Sequence, residues 1–303
     1  MIVTFHFYLI LSVVVSINGQ DYNWLSLALS SSAHHSSKLN EASDYRQHQY
    51  HFVCEKLPGL NPLQISLCEQ HPSTIPSISR GAYDSLIECQ LQFKFDRWNC
   101  SEQFKTHDSV SGFRDLLGRT LRAGNKESAF LSALTSAGVV HAVTKGCSSG
   151  NLSECGCDNS PNLQKYIEDR SLRGGHKKFS WGGCSDNTKY AIFFAKEFLD
   201  SYEKQQFEKN HDVRHLVAIH NNFVGREVIV QNMRKHCRCH GVSGSCEFRT
   251  CWLQIPKFSE VAHLLKQRYK HSAVQVAFLF EMARQCLHTE YYFKYFMQIF
   301  STF

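Results

Sequence analysis

Thirteen cysteines stand in this chain of 303 residues, and their redox state decides which architectures are open to it. In a reducing compartment they would serve as thiols or metal ligands, whereas an oxidising route turns them into crosslinks. The N-terminus selects between the two. MIVTFHFYLILSVVVSINGQ places an apolar run from Phe7 to Ile17 ahead of small and polar residues, which is the length of a signal-peptide core and not of a membrane span. This n-region lacks Lys and Arg, so the initiator amine and His6 supply its positive charge. Residues 1–19 are read as a signal peptide with cleavage near Gly19, and disulfides become the expected state of the sulfur. No other segment reads as a membrane span. The sequons Asn99-Cys100-Ser101 and Asn151-Leu152-Ser153 suit the same route.

An apolar content of 43% supports one sizeable core or two modest ones. The formal charge of +6 favours polyanionic partners. Outside a cell these are sulfated glycans or anionic lipid surfaces and not nucleic acid; the plainer reading is that Lys and Arg solubilise the surface. The densest basic cluster is Arg173, His176, Lys177 and Lys178.

Apolar spacing predicts a mainly helical chain. Ile78, Ala82, Leu86, Cys89 and Phe93 form one stripe within residues 77–95, and Phe130, Leu134, Ala137 and Val140 another within 126–145. Ile192, Ala195, Leu199 and Tyr202 mark a helix over 188–207. Leu216, Ile219, Phe223, Val230 and Met233 mark one over 212–236. Residues 30–49 read as a loose polar segment. The stretch EKLPGLNPLQISL between Cys54 and Cys68 is interrupted by Pro58 and Pro62, so it reads as a crosslinked loop. The Gly-, Ser- and Asn-rich region with Cys147, Cys155, Cys157 and Cys184 reads the same way.

The sharpest local feature is CRCHGVSGSC, residues 237–246, followed by Cys251. Four thiols permit three pairings that spacing does not separate; the nested one, 237 with 251 and 239 with 246, ties the arms of a hairpin. Gly241 and Gly244 are expected to supply backbone conformations closed to other residues, leaving Ser243 at a protruding tip. Three readings compete there. A zinc site drawn from Cys237, Cys239, His240, Cys246 and Cys251 departs from the usual C-x2-4-C spacing. A serine nucleophile lacks both G-x-S-x-G and a preceding buried strand. The third reading is a structural knot with a solvated hydroxyl.

HCRCHGVSGSCEFRTCW at 236–252 resembles the signature of the Wnt family of secreted signalling proteins. The resemblance continues through NWLSLAL at 23–29, ECQLQF at 88–93, RWNC at 97–100, KESAF at 126–130, SAGVVHAVTKGC at 136–147, CGCD at 155–158 and WGGCSDN at 181–187. It implies a disulfide-rich helical bundle over residues 20–277 with a protruding disulfide-tied hairpin at 237–251. It implies the pairs Cys54–Cys68, Cys89–Cys100, Cys147–Cys155, Cys157–Cys184, Cys237–Cys251 and Cys239–Cys246. Ser243 is then expected to carry a monounsaturated fatty acyl (palmitoleoyl) ester, with no metal and no other cofactor, in a chain that is a ligand and not an enzyme. The loop His240, Gly241, Val242, Ser243 and Gly244 is expected to meet the cysteine-rich domain of Frizzled receptors. Further expected partners are a membrane-bound acyltransferase and a carrier protein during secretion, a lipoprotein-receptor-related co-receptor, heparan sulfate proteoglycans and, through the lipid, the membrane surface. The setting is the extracellular space and matrix, with glycans at Asn99 and Asn151.

Two departures qualify the resemblance. In HNNFVGRE at 220–227, Phe223 and Val224 replace the expected acidic and small residues, a variation in packing. After residue 277 an aromatic-rich tail, 278–303, with the leftover cysteine Cys286 stands where the family continues into a second cysteine-dense domain. This predicts either a chain that signals as the family does or a truncated fragment that is inactive or competes for Frizzled without engaging the co-receptor. A secreted serine hydrolase is the remaining alternative.

Overall fold

The computed structural model describes residues 23–29, 54–57, 59–100, 117–159, 180–181, 183–246 and 249–271. The expected signal peptide, the segment 30–49, the basic cluster at 173–178 and the tail with Cys286 lie outside the described residues.

Among the described residues the chain is mainly α-helical: α1 Pro62–Gln70, α2 Ile75–Gln92, α3 Gly118–Arg122, α4 Lys126–Ser148, α5 Thr188–Asn210, α6 Val213–Gln231 and α7 Phe258–His271. A short 3-10 helix, Trp24–Leu29, precedes them, with Leu25, Ser26, Leu27 and Ala28 buried. Strands β1 Ser180–Trp181, β2 Arg234–Cys239 and β3 Arg249–Gln254 form a small sheet in the order β1-β3-β2. No described helix is long and apolar enough to cross a membrane.

Helix α4 is the axis of the molecule. Apolar and small residues surround it on all sides, so it is buried as a core helix must be, with α2, α5, α6 and α7 packed around it. The stripe expected from Phe130, Leu134, Ala137 and Val140 is buried, and so is the α2 stripe from Ile78 to Phe93. Small residues let neighbouring helices approach α4 closely: a Cβ on Gly81 of α2 would lie 2.5 Å from the Gly138 carbonyl oxygen of α4, and one on Gly225 of α6 would lie nearer still to that of Ala133. Asn125 caps α4, its side chain accepting from the Ser128 N–H at 2.8 Å.

Three sequence expectations change. The segment between Cys54 and Cys68 contains a helix, because Pro62 occupies the first helical position, where no intrahelical N–H is needed. Asn61 and Gln64 close a capping box ahead of it. Helix α6 ends at Gln231, and the residues expected to complete its last turn start β2 instead. Its buried face runs through Ile219, Asn222, Arg226 and Ile229, while Phe223 is half-buried and Val230 exposed. The polar pair is held inside because Arg226 meets Asp200 of α5 at 2.7 Å, and Asn222 donates to the same carboxylate at 3.0 Å. Both ions of that pair are at least 96% buried, a position that requires a partner. On α5 the apolar face is Ala191, Phe194, Ala195 and Phe198, so Ile192 and Tyr202 stand at its margin. Helix α7 carries the same kind of signal in Phe258, Val261, Ala262 and Leu265, following Pro256.

Disulfides join Cys54 to Cys68, Cys89 to Cys100, Cys147 to Cys155, Cys157 to Cys184, Cys237 to Cys251 and Cys239 to Cys246. The second and third of these close the C-terminal ends of α2 and α4, where the chain leaves a helix for a loop.

Candidate functional site

Strands β2 and β3 are antiparallel, and Cys237 lies directly across from Cys251. The disulfide between them therefore joins residues that the ladder already places side by side. The inner disulfide, Cys239–Cys246, closes the loop beyond. Of the three pairings that spacing leaves open, the structure holds the nested one.

The tip is a compact turn. Gly241 N–H donates to Ser245 O at 2.8 Å, Gly244 N–H to Gly241 O at 2.9 Å, and Ser245 N–H to Val242 O at 3.1 Å. Ser243 sits at its apex in the left-handed region, φ 56° and ψ 26°, and Gly244 follows at φ 77°. Only Gly244 needs glycine for its dihedral angles. Gly241 has φ −72° and ψ 168°, which any residue adopts; it must be glycine because a Cβ would lie 2.5 Å from the Ser245 carbonyl oxygen. The demanding conformation thus falls on the serine itself, at a cost of about 1 kcal/mol for a residue with a Cβ. Ser243 is exposed, and Val242 beside it is 90% exposed.

The root of the hairpin is fastened as firmly as the tip is bare. Leu253 N–H donates to Ser185 Oγ at 3.2 Å, and Asp186 N–H donates to Leu253 O at 2.9 Å. The Asp186 carboxylate, buried, accepts from Ile255 N–H at 2.8 Å, Lys145 Nζ at 3.0 Å and Ser148 Oγ at 2.5 Å. His141, Lys145 and Ser148 recur every three or four residues along α4 and so share one face. His141 Nε2–H donates to Pro256 O at 3.2 Å, since a carbonyl only accepts. Burial, and then the charge of Lys145, holds the His141 pKa down to about 4. On the outer strand, Arg234 reaches Glu260 of α7 at 2.7 Å. Asp186 lies in the motif WGGCSDN, yet an aspartate inside a Gly- and Ser-rich loop carries no periodicity to mark it as an anchor; its role exists only once α4 and β3 converge.

His240, Gly241, Val242, Ser243 and Gly244 come together at the tip, with the His240 ring 2.8 Å from Thr250 Oγ1. The four sulfurs proposed as zinc ligands are spent in disulfides, which offer no thiolate. Among the described residues no group of three or more His, Cys, Asp or Glu is placed to hold a metal. Ser243 lies in a turn between antiparallel strands and not at the strand-to-helix elbow that activates a nucleophile. Asn99 and Asn151 are exposed.

The site is thus a helical bundle crosslinked at its loops, with Ser243 exposed at the apex of a twice-braced hairpin. A sequence model described as the Wnt family matches residues 56–295, and the chain belongs to that family. Among solved structures, the chain is similar to a chain of the complex of human WLS with WNT8A, at 36% identity and a TM-score of 0.43, with 65% of this chain and 59% of that chain covered. It is also similar to the Drosophila WntD N-terminal domain-linker, at 20% identity and a TM-score of 0.40, with 65% of this chain and 81% of that chain covered. The chain thus covers less than two thirds of the chain it matches in the WNT8A complex.

Proposed function

We propose that the chain is a secreted Wnt signalling ligand that carries a palmitoleoyl ester on Ser243 and presents it to the apolar groove of a Frizzled cysteine-rich domain. The observation that carries this reading is the exposed Ser243 hydroxyl at the apex of a hairpin whose two disulfides and buried root leave little freedom to lose on binding. Such a finger suits two successive clients, the membrane-bound acyltransferase that loads it and the receptor that captures it. Burying about a dozen methylenes at ~0.8 kcal/mol each offers on the order of 10 kcal/mol before ordering costs, enough to dominate receptor affinity. The same lipid makes a carrier protein necessary in transit and holds the free ligand at membranes. Val242 packs at the rim of the groove. Heparan sulfate and a lipoprotein-receptor-related co-receptor complete the set of partners, and Asn99 and Asn151 carry glycans.

Mass spectrometry of protein secreted from cells that supply the acyltransferase is expected to find the ester on the peptide containing Ser243. Ser243→Ala abolishes it and lowers affinity for the isolated Frizzled domain by several orders of magnitude. An unmodified serine in receptor-binding material sinks the reading. A reporter assay on the same preparation separates signalling from competition at the receptor.

A further inference from the structure

The outer arm of the hairpin reads Arg234-Lys235-His236-Cys237-Arg238-Cys239-His240, with three Lys or Arg and no acidic residue. As β2 it is the edge strand of the sheet and is exposed from Arg234 to Arg238. The cations are not equivalent. Arg234, at the root, is held by Glu260, whereas Arg238, opposite Thr250, stands near the tip. Arg249 on the returning arm lies across from Cys239, half-buried with its Nε enclosed, and contributes to the positive field at that level. The Lys235 ammonium is held below the usual lysine range by burial and then by the charge of Arg249, so the arms share one positive field. Beyond this collar residues 241–245, Gly-Val-Ser-Gly-Ser, carry no charge, and the sequence between them and Arg249 holds one acidic residue, Glu247, against the three Lys or Arg of the outer arm; Val242 is 90% exposed.

An apolar point above a cationic collar matches the layering of a bilayer surface. At ~3.4 Å per residue Val242 lies at most about 14 Å beyond Arg238. A headgroup layer is roughly 5–7 Å deep, and an arginine stem extends several ångströms along the arm to keep its charge in that layer. With the tip at the hydrocarbon boundary, the exposed side chain of Arg238 reaches the headgroups, while the pair Arg234–Glu260 stays in water.

We infer that the hairpin is a two-signal anchor for anionic membranes, in which the acylated tip enters the bilayer and the exposed Arg238, within the positive field of the two arms, holds an anionic lipid headgroup. The inference rests on the acylation of Ser243 proposed above. A single acyl chain binds only marginally and reversibly, so a basic patch is what makes such attachment durable. Each cation at an anionic surface is worth about fivefold in partitioning.

The test uses the full secreted chain, its acylation verified by mass spectrometry, and co-sedimentation with vesicles of phosphatidylcholine alone or with about a third phosphatidylserine. Acylated protein is expected to partition at least tenfold more strongly onto the anionic vesicles, an advantage that about 1 M salt removes. Arg238→Gln lowers that partitioning about fivefold and leaves neutral vesicles unaffected. Lys196→Gln, an equal loss of charge on exposed α5, changes neither, which separates a local contact from net charge. Circular dichroism checks that both variants fold. Acylated protein that ignores phosphatidylserine overturns the inference, as does an equal effect of Lys196→Gln. Arg238-dependent binding to a heparin oligosaccharide with indifference to vesicles also overturns it, in favour of a sulfated glycan. Absence of the ester fails the acylation reading instead. In that case the weak binding of Ser243→Ala protein to anionic vesicles still reports on Arg238: sensitivity to Arg238→Gln supports the collar, and insensitivity removes it.

Discussion

At the scale of single residues, the tip shows two glycines required for different reasons. Gly244 is needed for its positive φ, and Gly241 for the space that the Ser245 backbone already occupies. Sequence reasoning located the serine and both glycines, but it assigned them one shared cause; the distinction needs the hydrogen bond that folds Ser245 O back onto Gly241 N–H. Gly244→Ala is expected to cost about 1 kcal/mol at the tip, the ordinary penalty for a left-handed residue with a Cβ. Gly241→Ala is the more damaging change, because its Cβ meets backbone that the inner disulfide holds in place. With the bundle's melting temperature unchanged in both variants, the fraction of Ser243 acylated in cells, read by mass spectrometry, falls further for Gly241→Ala. Equal acylation of the two variants contradicts this account of the tip.

At the scale of elements, the hairpin depends on the helix beneath it. Asp186 joins the two, receiving a β3-side backbone N–H from Ile255, and the Ser148 hydroxyl and the Lys145 ammonium of α4. Removing the carboxylate strands the buried Ile255 N–H and leaves Lys145, itself more than a third exposed, without this ion pair, while the Ser148 hydroxyl keeps the Thr144 carbonyl. Asp186→Ala is therefore expected to destabilise the protein by ~1–3 kcal/mol in denaturant titration. Hydrogen exchange should quicken first at Ile255 and along β3, ahead of α2, whose stripe lies elsewhere on α4. Uniform quickening across α2 and β3 contradicts the assignment of Asp186 to the hairpin root. The helices themselves were legible because their apolar stripes repeat locally, as the buried residues of α2 and α4 illustrate. On α6 the same rule failed after Ile219. The buried face there takes in the polar Asn222 and Arg226 ahead of Val228 and Ile229, and the group that allows them inside, Asp200, belongs to another helix. On α1 the rule for proline was applied as a helix breaker where Pro62 is a helix starter.

At the scale of the whole molecule, the packing of α4 against the chain that leaves β3 makes stability depend on pH. The folded His141 pKa, near 4, lies below the ~6.5 of a solvated imidazole. Unfolding between those values takes up a proton, so this contribution is complete above pH 6.5, is lost as pH falls towards 4, and levels off below. Its ceiling is on the order of 3 kcal/mol. His220, lowered by burial, acts in the same direction. His215, raised by its hydrogen bond to Glu203, acts oppositely: its contribution is present below 6.5 and lost as pH rises through its raised value. Urea titrations at pH 7.5 and 4.5 are expected to show the fall, with His141→Gln flattening it; identical slopes for both proteins refute the role of His141. The sequence by itself determined the oxidising setting, the helical class, the apolar stripes of α2 and α4, and the serine loop with its family likeness. All of these are written in composition or in spacings of a few residues. Tertiary structure alone decided which polar side chains enter the core and what holds the hairpin upright. Each of those is a bargain between groups far apart in the chain, and a buried charge or an unpaired N–H acquires its partner only when the elements carrying them meet.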